Sequence, residues 1–203
     1  MKINSHCWKV IRIAIISIFF FAGCRATSPP VAFYTLSALQ NTGGSSHSDL
    51  AIVVGPVSIP QILNRPQIVT QTDANKIVIS EYHRWAGNLQ EDVERVVAEN
   101  LGVLLGTDRV TIYSKEDVFD PTYRIVLNVN RFTGNLDQDV QLIVAWTVKE
   151  AKGKNVLIFN KSTIRERITS ADFQGLVAAQ SRALSVLSQE IAESIKRLSE
   201  NHK

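Results

Sequence analysis

Apolar residues recur along this chain in two rhythms, and the rhythm changes several times. Residues 32–36 (AFYTL) are short, aromatic and partly β-branched, the composition of a first strand. Residues 50–57 (LAIVVGPV) are almost continuously apolar, as in a buried strand. Residues 76–80 (KIVIS) predict a further short strand. From Leu89 the spacing shifts to three and four. Leu89, Val93, Val96, Val97, Leu101, Leu104 and Leu105 fall on one side of a helix. Asn88 stands at its N-cap with Glu91 three residues on, an Asn-x-x-Glu version of the capping box. Gly106 is a natural stop.

Alternation then takes over. After a short segment at 110–114, Tyr123, Ile125, Leu127 and Val129 share one face of residues 123–131. Val140, Leu142, Val144, Trp146 and Val148 share one face of 140–149, and residues 156–168 return. The turns GNLDQD and AKGKN make this stretch an antiparallel meander. A last helix, capped by Ser170 or Asp172, runs to about Leu198. Its stripe is Leu176, Ala183, Leu184, Leu187, Ile191, Ile195 and Leu198. Two amphipathic helices and a mostly antiparallel sheet predict an α+β two-layer sandwich, one domain over residues 32–203.

The N-terminal 23 residues follow neither rhythm. Lys2, Lys9 and Arg12 precede a short apolar core at 13–22, interrupted only by Ser17. About ten residues cannot cross a bilayer that needs roughly 20, so the segment reads as an export signal. It ends Phe21-Ala22-Gly23-Cys24, which resembles the lipobox of bacterial lipoproteins, with Phe21 where that pattern prefers Leu. Small Ala22 and Gly23 suit a peptidase, and the Cys24 thiol is the nucleophile that accepts a diacylglyceryl group. The competing reading, a buried or disulfide-bonded cysteine, has only Cys7 as partner, and Cys7 lies in the segment to be removed. The expected organisation is a lipoprotein signal at 1–23, a short tether lipidated on Cys24 at 24–31, and the domain. Fully extended, the seven steps from Cys24 to Val31 reach roughly 25 Å, which keeps the domain near its membrane.

Processing also changes the charge. The full chain carries +3, and residues 1–23 hold three basic side chains and no acidic ones, so the remainder is formally neutral. A neutral domain lacks the electrostatic footprint of a nucleic-acid binder.

Candidate chemistry is sparse. His47, His83 and His202 lie apart along the chain with no metal-ligand spacing, and surface positions are expected for each. No G-x-S-x-G elbow gives a serine a nucleophile's setting. Asn135, Asp137 and Asp139 have the start of a calcium loop, but Val140 and Trp146 stand where Gly and Glu are needed, so a hairpin tip fits better. The GGSS of residues 40–49 lacks the Lys-Ser/Thr of a phosphate loop and reads as a flexible connection. Glu91, Asp92, Glu94 and Glu99 read as the solvated face of the first helix, with Glu91 spaced to pair with Arg95. Neither a catalytic residue, a metal nor a cofactor is expected beyond the covalent lipid. A binding or structural role is favoured over an enzyme.

The least ordinary stretch is GPVSIPQILNRPQIVTQT, residues 55–72. Within it, the two prolines of residues 59–70 (IPQILNRPQIVT) rule out a regular helix and a central strand there, and bias Ile59 and Arg65 to extended geometry. Two readings fit: an extended loop crossing the sheet edge, or a preformed docking strap whose prolines reduce the entropy lost on binding. Under the second, Pro56, Pro60, Ile62, Leu63, Arg65 and Pro66 are interface candidates. Trp85, in YHRWAG before the first helix, is read as core or as part of that interface.

These segments together carry a resemblance. The lipobox, FYTL after the tether, IVVGPVSIPQILNRPQIVT and YHRWAGNLQEDVERVVAENL resemble the PqiC/YmbA-type lipoproteins, auxiliary components of ABC-type and MCE-type envelope transport systems. The resemblance implies a non-enzymatic protein at the outer membrane, facing the periplasm. It implies assembly into a homo-oligomeric ring and cooperation with an MCE-domain tunnel protein that carries lipids between membranes. Arg25, where Asp commonly retains a lipoprotein in the inner membrane, agrees with the outer one. Alternatives are a scaffold for another ABC-type transporter and a lipid-tethered hydrolase, for which no Ser/His/Asp set stands out.

Overall fold

The computed structural model describes residues 28–40, 48–73, 75–113, 119–152 and 155–201. Cys7, Cys24, Arg25, His47, His202 and most of the Gly/Ser-rich loop lie outside the described residues. Residues 28–30 are exposed and in neither helix nor strand, and the chain from Val31 on clusters as a separate unit.

The first helix, α1, spans Leu89–Leu105. Asn88 Oδ1 accepts the Gln90 and Glu91 N–H groups at 2.9 and 3.3 Å, and Gly106 ends the helix in the left-handed region at φ 61°. The second, α2, spans Phe173–Asn201 and is capped by Asp172, whose Oδ1 accepts the Gly175 N–H at 2.6 Å. Both apolar stripes are buried, except that Leu104 and Leu198 are half-exposed.

The fold is α+β, but its strands form two mixed sheets rather than one mostly antiparallel sheet. The larger has the order β5-β2-β6-β7-β8, from β2 (Ile52–Ser58), β5 (Val110–Ile112), β6 (Tyr123–Gly134), β7 (Asp139–Glu150) and β8 (Val156–Arg167). The expected meander is there: β6, β7 and β8 are antiparallel, with Val144 opposite both Val129 and Ser162. The departure is β2, which runs parallel to both of its neighbours, β5 and β6. Ile52, Val53 and Val54 are fully buried. Such a strand suits the interior of a sheet among parallel neighbours.

The smaller sheet has the order β1-β4-β3, from β1 (Ala32–Tyr34), β3 (Gln67–Asp73) and β4 (Lys76–Trp85). Here β1 is parallel to β4, and β3 antiparallel to it. The second half of the proline-marked stretch is therefore a strand. It lies at a sheet edge, where a preceding proline disrupts no ladder.

The helices and the large sheet share one core around Ile125, Leu127, Leu142, Val144, Trp146, Leu184 and Leu187. A polar link crosses that core. Trp146 Nε1 donates to Ser162 Oγ at 2.9 Å, and Ser162 donates in turn to Glu190, tying β7 and β8 to α2.

Two expectations at α1 and β4 are corrected. Arg95 pairs with Asp92 and Glu99 instead of Glu91. The reason is Leu36: its N–H donates to Asp92 Oδ2 at 2.7 Å, and its carbonyl accepts from Arg95 Nη2 at 2.8 Å. His83 is not a free surface histidine. Its ring stacks on Phe173 at 3.9 Å, and its Nδ1 bonds the Tyr34 hydroxyl at 2.9 Å.

Candidate functional site

The stretch from Gly55 to Thr72 takes three conformations in turn. It begins as β2, where Gly55 has φ 119° and a cis bond to Pro56. A side chain at Gly55 is excluded twice over. The backbone is in a region that favours glycine, and a Cβ would stand 2.8 Å from Tyr113 Cβ, besides displacing the Glu94 carboxylate of α1 from 1.9 Å. This approach places Glu94 beneath β2 and not on a fully solvated face. Burial first, and the Glu91 charge second, push its carboxyl above the usual carboxylate range.

The chain then turns between Pro60 and Pro66. Leu63 N–H donates to Pro60 O at 2.9 Å and Asn64 N–H to Gln61 O at 3.2 Å. These local bonds leave Ile62 exposed at 38% while Leu63 beside it is 4% exposed. Trp85 is 5% exposed, and its N–H donates to Pro66 O at 2.7 Å. The two candidates that sequence could not separate from their neighbours, Leu63 and Trp85, thus lie in the core and hold the turn from below. Burying such side chains stabilises by about 1.5–3 kcal/mol each.

The surface is formed by Pro56, Ile62 and Pro66, which are exposed, and by Pro60 and Arg65, which are half-buried. Arg65 Nε is buried with no hydrogen-bond partner among the described residues. The arrangement is a pinned, proline-bracketed ridge with an apolar tip and one cation, suited to docking.

Elsewhere, an open polar groove of about 210 Å³ runs between the end of β3 and the β6–β7 turn, lined by Gln71, Asp73, Arg131, Asn135 and Gln141. Its Arg131 is already bonded to Gln141 at 2.8 Å. The Asn135 side chain accepts the Asp137 N–H at 3.3 Å, the expected hairpin-tip geometry. Among the described residues no His/Cys/Asp/Glu group could hold a metal ion, and no helix is long and apolar enough to cross a membrane.

An α+β domain with a pinned surface ridge is the class this geometry defines. The chain belongs to the family described as ABC-type transport auxiliary lipoprotein component, which it matches over residues 34–192. It is similar in fold to a solved protein described only as uncharacterized, at 18% identity and a TM-score of 0.68, over 82% of this chain and 99% of that one. It is similar also to a protein from Xanthomonas campestris, at 16% identity and a TM-score of 0.63, over 85% of this chain and all of that one. No curated protein matches it.

Proposed function

We propose that this protein is an outer-membrane lipoprotein subunit of an MCE-type intermembrane lipid transport system. It is anchored by a lipid on Cys24, faces the periplasm, is not an enzyme, and docks a periplasm-spanning tunnel protein as a homo-oligomeric ring. The observation that carries this reading is the family match over residues 34–192, with the lipobox-like Phe21–Cys24 segment a short way ahead of it. The ridge of Pro56, Ile62, Arg65 and Pro66 supports docking, because its backbone is held in place before any partner arrives.

The test is cross-linking in intact envelopes of cells expressing the full chain, followed by capture. An MCE-domain protein in the capture is the expected result. Recovery of a different ABC-type transporter without any MCE partner replaces this reading with that of a scaffold for that transporter. Cys24→Ser is expected to abolish fatty-acid labelling and leave an unprocessed precursor; normal labelling defeats the lipoprotein assignment. Arg65→Glu is expected to weaken capture with the thermal midpoint unchanged. A lowered midpoint with normal capture makes the ridge structural.

A further inference from the structure

Both helices pack on one face of the large sheet, the face of Ile125, Leu142, Val144 and Trp146. Successive strand residues alternate between faces, so the register of β6, β7 and β8 sets out what the other face carries. Val126 stands opposite Thr147, and Thr147 opposite Phe159. On this side Val126, Ile143 and Thr147 are only half-buried, and Phe159 is 69% exposed. The small sheet meets the face at the far end of β6, where Thr133 Oγ1 donates to Gln71 Oε1 at 3.2 Å.

The charge of this face is one-sided. Arg124, Arg131, Lys149, Lys161, Arg165 and Arg167 alternate onto it. Against them stands one carboxylate, Asp139, 3.8 Å from Arg165. Six cations less one carboxylate give +5, and residues 24–203 are formally neutral, so the rest of that chain carries −5. The Arg124 guanidinium lies over the Tyr113 ring at 4.7 Å. Lys161, Arg165 and Arg167 are exposed on β8, the edge strand that also carries Phe159.

The described chain offers this face no counterpart of its own. Its most acidic element is α1, but Asp92 and Glu99 there are engaged by Arg95, and Glu94 lies beneath β2. A fixed partner would call for cations gathered around one point. These instead stand on long stems across three strands, beside apolar side chains. That combination matches a surface of many mobile anions with an apolar layer behind it.

We propose that the open face of the large sheet, led by Lys161, Arg165 and Phe159 of β8, lies on anionic phospholipid. The occupant is the headgroup layer of an anionic bilayer. The inference rests on the lipoprotein reading for the presence of a membrane, and on the sheet face alone for how the domain meets it.

Cys7 and Cys24 are the only cysteines, so the processed, lipidated protein has no free thiol. Thr163→Cys, labelled with an environment-sensitive fluorophore, reports on the β8 side of the face, and Asn128→Cys on the β6 side. Ala178→Cys on the exposed side of α2 is the control. The full processed protein is placed in vesicles of phosphatidylethanolamine and phosphatidylglycerol, with and without nitroxide-bearing phospholipid. The expected result is loss of emission to the nitroxide at 163 and 128 but not at 178. High salt, or phosphatidylcholine in place of phosphatidylglycerol, is expected to restore the emission, because both weaken the attraction. Lys161→Glu with Arg165→Glu is expected to restore it too, at an unchanged thermal midpoint. Equal quenching at 163 and 178 overturns the proposal, and so does quenching that survives both salt and phosphatidylcholine. A blue shift at 163 without quenching also overturns it, since a protein surface then covers the face. Intact mass is read on the same samples. A chain unmodified at Cys24 whose face is still quenched by anionic vesicles defeats the lipoprotein reading and supports this inference. A lipidated chain with an unquenched face overturns this inference alone.

Discussion

Gly55 and Glu94 show how tightly single residues set this surface. Gly55→Ala meets an unfavourable φ and Tyr113 Cβ, and displaces the Glu94 carboxylate. It is expected to cost about 2 kcal/mol or more, measured as the denaturant midpoint shift at constant slope. Glu94 carries a raised pKa. Its folded form holds the proton to higher pH than the unfolded form, so the stability it contributes at low pH is lost as pH rises through that raised value. Glu94→Gln is therefore expected to be more stable relative to wild type above that range than below it. Parallel pH–stability curves would count against burial as the cause. The neighbours Ile62 and Leu63 separate equally cleanly. Leu63→Ala is expected to cost about 2–5 kcal/mol, whereas the exposed Ile62→Asp should leave the thermal midpoint nearly unchanged while reducing partner capture.

At the scale of elements, α1 was legible in advance because its signals are local: an Asn cap, a 3.6-residue stripe and a glycine stop all sit within its own span. Asn88→Ala is expected to cost about 1 kcal/mol, read from the unfolding free energy. The α2 cap differs in carrying a charge. The bond from Ser170 and the Gly175 N–H hold the Asp172 carboxyl below its ordinary range. Its contribution is present above the unfolded value and fades as pH falls through the lowered one, so Asp172→Asn should flatten the acid limb of stability. The meander was equally readable, since alternation and turn chemistry determine register between sequence neighbours. The parallel pairings were not. β1 and β5 have only three residues each, too few for a period, and their partners lie far along the chain. Nor could periodicity separate Leu63 from Ile62, or show that Trp85 closes the turn, because both facts depend on a neighbour brought in by tertiary packing. At Arg95 the i,i+4 rule allows Glu91 and Glu99 alike, and the choice of Asp92 and Glu99 depends on the backbone of Leu36, which sequence spacing does not show.

For the whole molecule, the candidate docking surface is the ridge before Gln67, at the start of β3. The Leu36 clasp then takes on a mechanical meaning. Any tug on the chain ahead of β1 acts along a three-residue strand, whose few bonds are loaded in shear. Immediately behind that strand, Asp92 and Arg95 grip both backbone groups of Leu36. Charge-assisted bonds of this kind contribute about 1.5–3 kcal/mol each, more than the few tenths of an exposed helical ion pair. Tension on the segment ahead of β1 therefore loads that strand first and is then passed by Leu36 into the side of α1, and through it into the core.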